Sequence, residues 1–261
     1  MNCRVALCAL AFALVLPLSL LSSARAKPLP AVDDLDKKVL EIVKKTGDLY
    51  KDAKSIQAEG NFDSKITGQG DDKEIKVSAS YEVAKPLSLS LKTKVDGDAK
   101  KGPNVIADGK NLFIYQKGMK QYMEQDSPAT LGEIGLGLLM LDSNYTGMLF
   151  ANILGDDPAD LLMQGVTACS YVGLDKVGET PVHRMKFTQQ EFEWELWVAS
   201  EGKPYVMRFI STREGNGIKI VTTETYKNWK LDAPAAKETF TFKAPEGVAK
   251  VDMFGAADKD K

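Results

Sequence analysis

The sequence of 261 residues contains little histidine and little cysteine. It has one histidine, His183, and three cysteines, of which Cys3 and Cys8 lie within the first ten residues. Metal sites need clusters of such side chains, and a cysteine nucleophile needs a base beside it, so this scarcity argues against both kinds of enzyme. If the N-terminal residues that contain Cys3 and Cys8 are removed on export, Cys169 is the one cysteine that remains. The chain then cannot form an internal disulfide, and its stability must come from its hydrophobic core.

A charge excess of one sign is also missing. The chain has 34 lysines and arginines against 36 aspartates and glutamates, and both signs are scattered along its length. Proteins that bind nucleic acid or an anionic membrane surface through charge show a basic patch or a polybasic segment. The composition therefore predicts no nucleic-acid partner and no electrostatic membrane anchor.

Sequence motifs that bind phosphate or carry a nucleophile are absent as well, with no P-loop, no dinucleotide-binding glycine pattern and no G-x-S-x-G. His183 alternates with Met185 and Phe187, a pattern typical of a hydrogen-bonded histidine in the core. Cys169 and Tyr171 occupy a predicted strand, where the thiol would act as a small buried side chain. We therefore expect no enzymatic activity, no cofactor and no metal site.

One long apolar run is present, and it is N-terminal. It spans residues 5–21 and is followed by the small residues of Ala24-Arg25-Ala26. This is the pattern of a secretory signal peptide that is cleaved after Ala26. A membrane anchor is the alternative, because the run is close to the lower limit of a bilayer span, but Pro17 and the cleavage pattern favour removal. We expect a periplasmic or secreted protein without a stable membrane span.

Hydrophobic periodicity predicts an α+β protein that consists mainly of antiparallel sheet. Apolar residues at helical spacing predict one amphipathic helix at 34–53. Apolar and polar residues then alternate through 54–124, with a hairpin turn at Asp108-Gly109, and they alternate again through 166–248. The last strand expected is TFTFK at 239–243. In total we expect one sheet of roughly ten or eleven strands.

The segment between these two halves follows a different pattern. Residues 127–165 are strongly apolar, rich in glycine and without two-residue alternation, which predicts two or three short helices. Leu131, Ile134, Leu138 and Leu141 share one face of the first helix. The segment is either an ordinary buried core helix or a mobile cover over a cavity.

The stretch EFEWELWV raises the question of a catalytic carboxylate site. In a strand, alternate residues point to opposite faces, and carboxylates two positions apart are too far from each other to share a proton. The glutamates are therefore expected on the solvated face, together with Trp197. The residues expected on the dry face are Phe192, Trp194, Leu196 and Val198.

Several segments resemble a known family. The segments LLMQGVTACSYVGLDKVGETPVHRMKF, EFEWELWV, TYKNWKL and TFTFKAPEGVAKVDMF resemble, in that order, the second half of a family of predicted periplasmic proteins of unknown function. That family is similar to the LolA/LolB superfamily of outer-membrane lipoprotein carriers. SIQAEGNFD and IADGKNLFIYQKGMKQYMEQ match it too, so the resemblance covers nearly all of residues 33–254. The resemblance implies a curved, unclosed half-barrel with helices over its concave apolar face, which in the carriers holds acyl chains.

These observations lead to one domain and one leading hypothesis. We expect a domain at 27–254 followed by a charged tail at 255–261. We expect it to bind a hydrophobic ligand such as a lipid or a lipoprotein acyl chain; the alternative is a module that binds or senses envelope proteins. The predicted cavity lining is Phe62, Tyr81, Leu89, Leu91, Trp194 and Leu196, and the predicted lid is Leu131, Ile134, Leu138 and Leu141.

Overall fold

The structure, a computed structural model, describes residues 36–254 except residues 69, 71, 190 and 191, and it describes only the backbone of residues 141–146. The predicted signal peptide with its cleavage at Ala26, and the predicted charged tail, lie outside the described residues. No described helix is both long and apolar enough to cross a membrane.

The described part of the chain contains four α-helices, two short 3₁₀ helices and twelve strands. The first half contains α1 (Lys37–Asp52), β1 (Ser55–Thr67), β2 (Lys73–Ala84), β3 (Ser88–Val95), β4 (Pro103–Asp108), β5 (Asn111–Gln116) and β6 (Gln121–Asp126). The middle contains α2 (Leu131–Thr146), α3 (Met148–Ile153) and α4 (Pro158–Met163). The second half contains β7 (Val166–Val177), β8 (Thr180–Gln189), β9 (Phe192–Ala199), β10 (Val206–Gly215), β11 (Ile218–Leu231) and β12 (Ala249–Lys250).

All twelve strands belong to one unclosed sheet. Its order is β12-β6-β5-β4-β3-β2-β1-β11-β10-β9-β8-β7, so two antiparallel meanders meet where β1 pairs with β11. The short β12 is the exception in direction, because it runs parallel to β6. The sheet is curved, and α2, α3 and α4 connect the two meanders across its inner face. The predicted fold class is confirmed, with twelve strands where ten or eleven were expected.

Local sequence accounts for the elements that frame the sheet. Asp36 caps α1, because its carboxylate accepts hydrogen bonds from the backbone N–H groups of Lys38 and Val39 at 2.8 and 3.3 Å. Its second oxygen accepts one from the backbone N–H of Tyr171 in β7 at 3.0 Å, which ties the helix to the sheet edge. The hairpin at Asp108-Gly109 is confirmed, with Gly109 at a φ of 96°.

The predicted strand TFTFK is wrong. Residues 237–240 form a 3₁₀ turn, and the following residues pair with no strand in the described chain. Their alternation has another cause, because this segment packs on the sheet from outside. Phe240 is buried, and the ring of Phe242 lies 4.9 Å from that of Phe113 and 5.0 Å from that of Tyr122. Regular spacing of phenylalanines here reports side-chain packing and not strand pairing.

Candidate ligand-binding site

Strand register arranges the inner-face side chains in rows that cross the sheet. One row runs from Phe187 through Trp194 to Ser211, because these residues are direct partners on β8, β9 and β10. The next row towards the sheet end contains Phe192 and Arg213, which are also direct partners. The second of these rows forms the rim of the inner face.

A cavity of about 360 Å³ lies between these rows and the helices. Its floor comes from β8, β9 and β10, and its roof comes from α2, α3 and α4. It is lined by Leu139, Met148, Asn152, Leu161, Leu162, Gln164, Gln189, Phe192, Trp194, Phe209 and Arg213. We call this cavity the inner pocket.

Trp194 forms part of the pocket floor. Its ring stacks on Phe187 with centroids 3.8 Å apart and planes at 4°, and it lies 5.4 Å from the ring of Phe209. The side chain is 3% exposed, yet its indole N–H has no hydrogen-bond acceptor among the described residues. Tryptophan N–H groups usually find a partner when they are buried, so the pocket floor contains one unsatisfied donor.

The six residues predicted to line a cavity are all buried, but they do not line one cavity. Trp194 lines the inner pocket, whereas Tyr81 belongs to the filled core and stacks on Phe150 of α3 with centroids 3.7 Å apart. The remaining four are also part of the hydrophobic core: Phe62, Leu89, Leu91 and Leu196. Their role in ligand binding stays a prediction.

Three of the four predicted lid residues on α2 pack into the core. Leu131, Ile134 and Leu138 are buried, and the side chain of Leu141 lies outside the described residues. A glycine in this helix has a packing reason, because a Cβ at Gly135 would lie 3.1 Å from the backbone oxygen of Ala151 in α3. The glycine-rich sequence therefore permits close contact between α2 and α3.

A buried carboxylate that the sequence analysis missed anchors α3 to the sheet. Glu224 of β11 is 1% exposed and accepts hydrogen bonds from the backbone N–H groups of Met148 and Leu149 at 2.7 and 3.2 Å. The hydroxyl of Tyr226 donates a third at 2.6 Å. These N–H groups open α3, where an α-helix leaves its donors unpaired. Met148 also lines the inner pocket, so the anchor positions part of its roof.

Burial decides the protonation of this carboxyl. Desolvation raises the pKa of Glu224 from 4.5 to about 7, although the hydrogen bonds from Tyr226, Met148 and Leu149 act in the opposite direction. At neutral pH the carboxyl is therefore close to its midpoint of titration.

Gly147, directly before α3, allows this contact. It has a φ of 77°, and a Cβ there would lie 2.7 Å from the Tyr226 hydroxyl and 2.8 Å from a ring carbon of Phe62. No other residue type fits both the backbone conformation and the space.

On the outer face of β9, the prediction for the glutamates is only partly right. Glu193 is exposed, and Glu191 lies outside the described residues. Glu195 instead accepts hydrogen bonds from Arg184 at 2.8 and 3.1 Å, and from the indole N–H of Trp197 at 3.2 Å. Burial acts to raise the pKa of Glu195, but these bonds outweigh it and lower the pKa. The carboxylate is thus engaged in an ion pair.

Trp197 was expected in solvent, and this was wrong. The guanidinium groups of Arg184 and Arg208 lie 4.9 and 4.8 Å from its ring, and they leave it 7% exposed. Alternation within β9 cannot reveal this, because both arginines come from the neighbouring strands.

The two remaining sequence candidates are in structural positions. His183 is half-buried, and its Nδ1 lies 3.0 Å from the hydroxyl of Tyr171, so it is hydrogen-bonded but less deeply buried than expected. Burial lowers the pKa of His183. Cys169 is a buried free thiol whose pKa is raised by burial. Neither residue lines the inner pocket.

A larger cavity, of about 570 Å³, lies on the outer face of β1, β2 and β11. Seven of its eleven lining residues are polar or charged, including Asn61, Asp63, Lys65 and Lys76, while the predicted lining residue Phe62 adds apolar surface. No described helix covers this cavity, whereas α2, α3 and α4 cover the inner pocket. For an apolar ligand, the inner pocket is the better candidate despite its smaller volume.

Solved structures of similar fold come from several bacteria. An uncharacterized conserved protein from Thermus thermophilus has 11% identity and a TM-score of 0.48 over 82% of this chain and 99% of that chain. The lipoprotein LppX of Mycobacterium tuberculosis has 14% identity and a TM-score of 0.43 over 77% and 98%. A LolA superfamily protein from Nitrosomonas europaea has 10% identity and a TM-score of 0.37 over 77% and 96%. With TM-scores below 0.5, these likenesses carry no argument about function.

A comparison with curated proteins gives no match. Residues 40–254 match the model of a family described as predicted periplasmic protein (DUF2092). This confirms the family expected from the sequence, and the chain belongs to that family.

Proposed function

We propose that this protein binds a hydrophobic ligand, a lipid or the acyl chain of a lipoprotein, in the inner pocket, and that it acts as a carrier and not as an enzyme. The observation that supports this most directly is the aromatic floor around Trp194 beneath three covering helices. Such a floor offers an apolar contact area to a hydrocarbon chain.

The size and position of the pocket support the same proposal. Small-molecule sites are concave and mostly apolar, with volumes of roughly 300–1,000 Å³. The inner pocket, at about 360 Å³, lies within that range and suits one chain better than several. Its lining includes the rim residues Gln189 and Arg213 and does not include Tyr81, so a chain in this pocket leaves the core around Tyr81 in place.

Binding of a fluorescent acyl probe to matched variants tests this proposal. Trp194→Phe should weaken binding of the probe, because it changes the pocket floor. Trp197→Phe is the matched control on the outer face and should leave the affinity unchanged. The proposal fails if the wild-type protein does not bind the probe, or if both variants weaken binding equally.

A second candidate function, docking of an envelope protein, rests on a different surface. Leu136 and Met140 lie four residues apart on α2 and are 60% and 82% exposed. Large apolar side chains at this spacing form a patch that a partner could cover. A Leu136→Gln/Met140→Gln double variant should keep acyl binding if the inner pocket is the functional site. If the exposed patch is the functional site, the double variant should lose partner capture and nothing else.

A further inference from the structure

Arg213 is the one charged side chain in the lining of the inner pocket, as the described residues define it. It lies on the inner-face rim, where its strand partners are Phe192 and Ile220. Its guanidinium carbon lies 5.2 Å from the ring centre of Phe192, and one terminal nitrogen lies 3.9 Å from the sulfur of Met148. Both neighbours are weak partners for a full positive charge.

The other arginines of the described chain have different surroundings. Arg184 forms ion pairs with Glu195 and Asp175 on the outer face. Arg208 lies over the ring of Trp197 and is held against the sheet there. None of the ion pairs found among the described residues involves Arg213, so its donors remain available to a ligand at the rim of the inner face.

We infer that the ligand is an acyl chain that ends in a single negative charge, a carboxylate, and that Arg213 binds that end while the chain lies on Trp194. This inference rests on the proposed function and adds the chemical class of the ligand. A guanidinium presents its donors as a planar fork that matches a carboxylate with two parallel hydrogen bonds. The apolar side chains in the same lining, such as Leu139, Leu162 and Phe209, suit the hydrocarbon part.

A neighbouring feature favours one charge over two. Arg213 also borders a smaller cavity of about 110 Å³, together with Ser211, Thr222 and the carboxyl group of Glu224. When Glu224 is ionised, it repels further negative charge at this end of the pocket, and the pocket lining as described holds no second cation to offset it. A phosphate monoester, with nearly two charges, should therefore bind less well than a carboxylate.

Competition against a bound fluorescent acyl probe provides the test. The competitors are oleate, methyl oleate and oleyl phosphate, each below the concentration at which it aggregates. The proteins are wild type, Arg213→Gln, Arg213→Lys and the control Lys203→Gln, which removes an exposed positive charge from a turn outside the pocket lining. Thermal unfolding of each variant shows whether it is folded.

For the wild type and Lys203→Gln, oleate should compete better than methyl oleate by about twofold to fivefold, the range of an exposed ion pair, because Arg213 is exposed to solvent. Arg213→Gln should bind oleate and methyl oleate equally, with no loss for methyl oleate, and Arg213→Lys should keep part of the preference. The inference is overturned if wild type does not distinguish the two, if Arg213→Gln keeps the preference, or if oleyl phosphate binds more tightly than oleate. If none of the three compounds competes, the proposed function itself is wrong.

Discussion

Replacing Glu224 with glutamine should remove a pH dependence of stability that the buried carboxyl produces. The folded protein holds a proton on Glu224 up to a pKa of about 7, whereas the unfolded chain releases it near the ordinary value of 4.5. Between these values the folded state binds more protons, so the free energy of unfolding falls as the pH rises. The stabilising contribution of protonation is complete below about pH 4.5 and is lost as the pH passes through about 7.

The size of the effect follows from the same two values. Each unit of difference in pKa corresponds to about 1.4 kcal/mol, so ionisation of Glu224 should cost the folded protein about 3 kcal/mol. The groups that face this carboxyl are Tyr226, Tyr81 and the N–H groups of α3, and Arg213 lies across the adjoining small cavity. Both tyrosine pKa values are raised by burial, so the tyrosines stay neutral throughout this range.

Urea unfolding between about pH 5 and about pH 8 measures the effect as a difference between proteins. Burial lowers the pKa of His183, but this contribution is the same in wild type and variant and cancels in the difference. Relative to Glu224→Gln, wild type should lose about 2.5 kcal/mol of the full effect across this range, while the exposed control Glu193→Gln should follow wild type. Parallel curves for wild type and Glu224→Gln would refute the argument.

Three further predictions concern the pocket and its cover. Trp194→Ala should cost on the order of 3–5 kcal/mol of stability if the ring is fully packed. If the ring lines a usable pocket, the loss of stability should be smaller and the loss of acyl binding larger. Chemical denaturation and probe binding distinguish these two cases. Gly147→Ala should lower the free energy of unfolding by about 1–3 kcal/mol, because Gly147 has a positive φ and a Cβ there would contact Tyr226. Gly137→Ala on α2, where a Cβ meets open space, should raise it by about 0.5–1 kcal/mol; thermal unfolding measures both. In hydrogen exchange, residues 127–154 should exchange faster than the sheet and change most when an acyl ligand is added; if they exchange most slowly, they are ordinary core and not a gate.

Much of the fold was predictable because alternation and turn chemistry are local. The helix at 34–53 is found at Lys37–Asp52, and the Asp108-Gly109 turn joins β4 and β5. The pairing of β1 with β11 was not predictable, since it joins residues that are more than a hundred positions apart. Without that pairing, the strand order and the position of the helices over the inner face cannot be worked out from periodicity.

The candidate site was less predictable for the same reason. Glu224 lies in a strand that is rich in threonine, and an acid in such a strand is typical of the solvated face. Its burial follows from its partners Phe62 on β1 and Phe209 on β10 and from the start of α3, and the single local signal was Tyr226 two positions later on the same face. Of the predicted lining residues, Trp194 lines the inner pocket, while Tyr81 is covered by the ring of Phe150. Periodicity identifies the apolar face but not which part of it the helices fill.

The most direct test of the central claim is mass spectrometry of the exported protein, purified without detergent and then extracted with organic solvent. The account predicts an acyl-bearing molecule present in near-stoichiometric amount, and a reduced amount in Trp194→Ala at equal protein concentration. Protein that is folded, carries no acyl-bearing molecule and takes none up when oleate is added would contradict it.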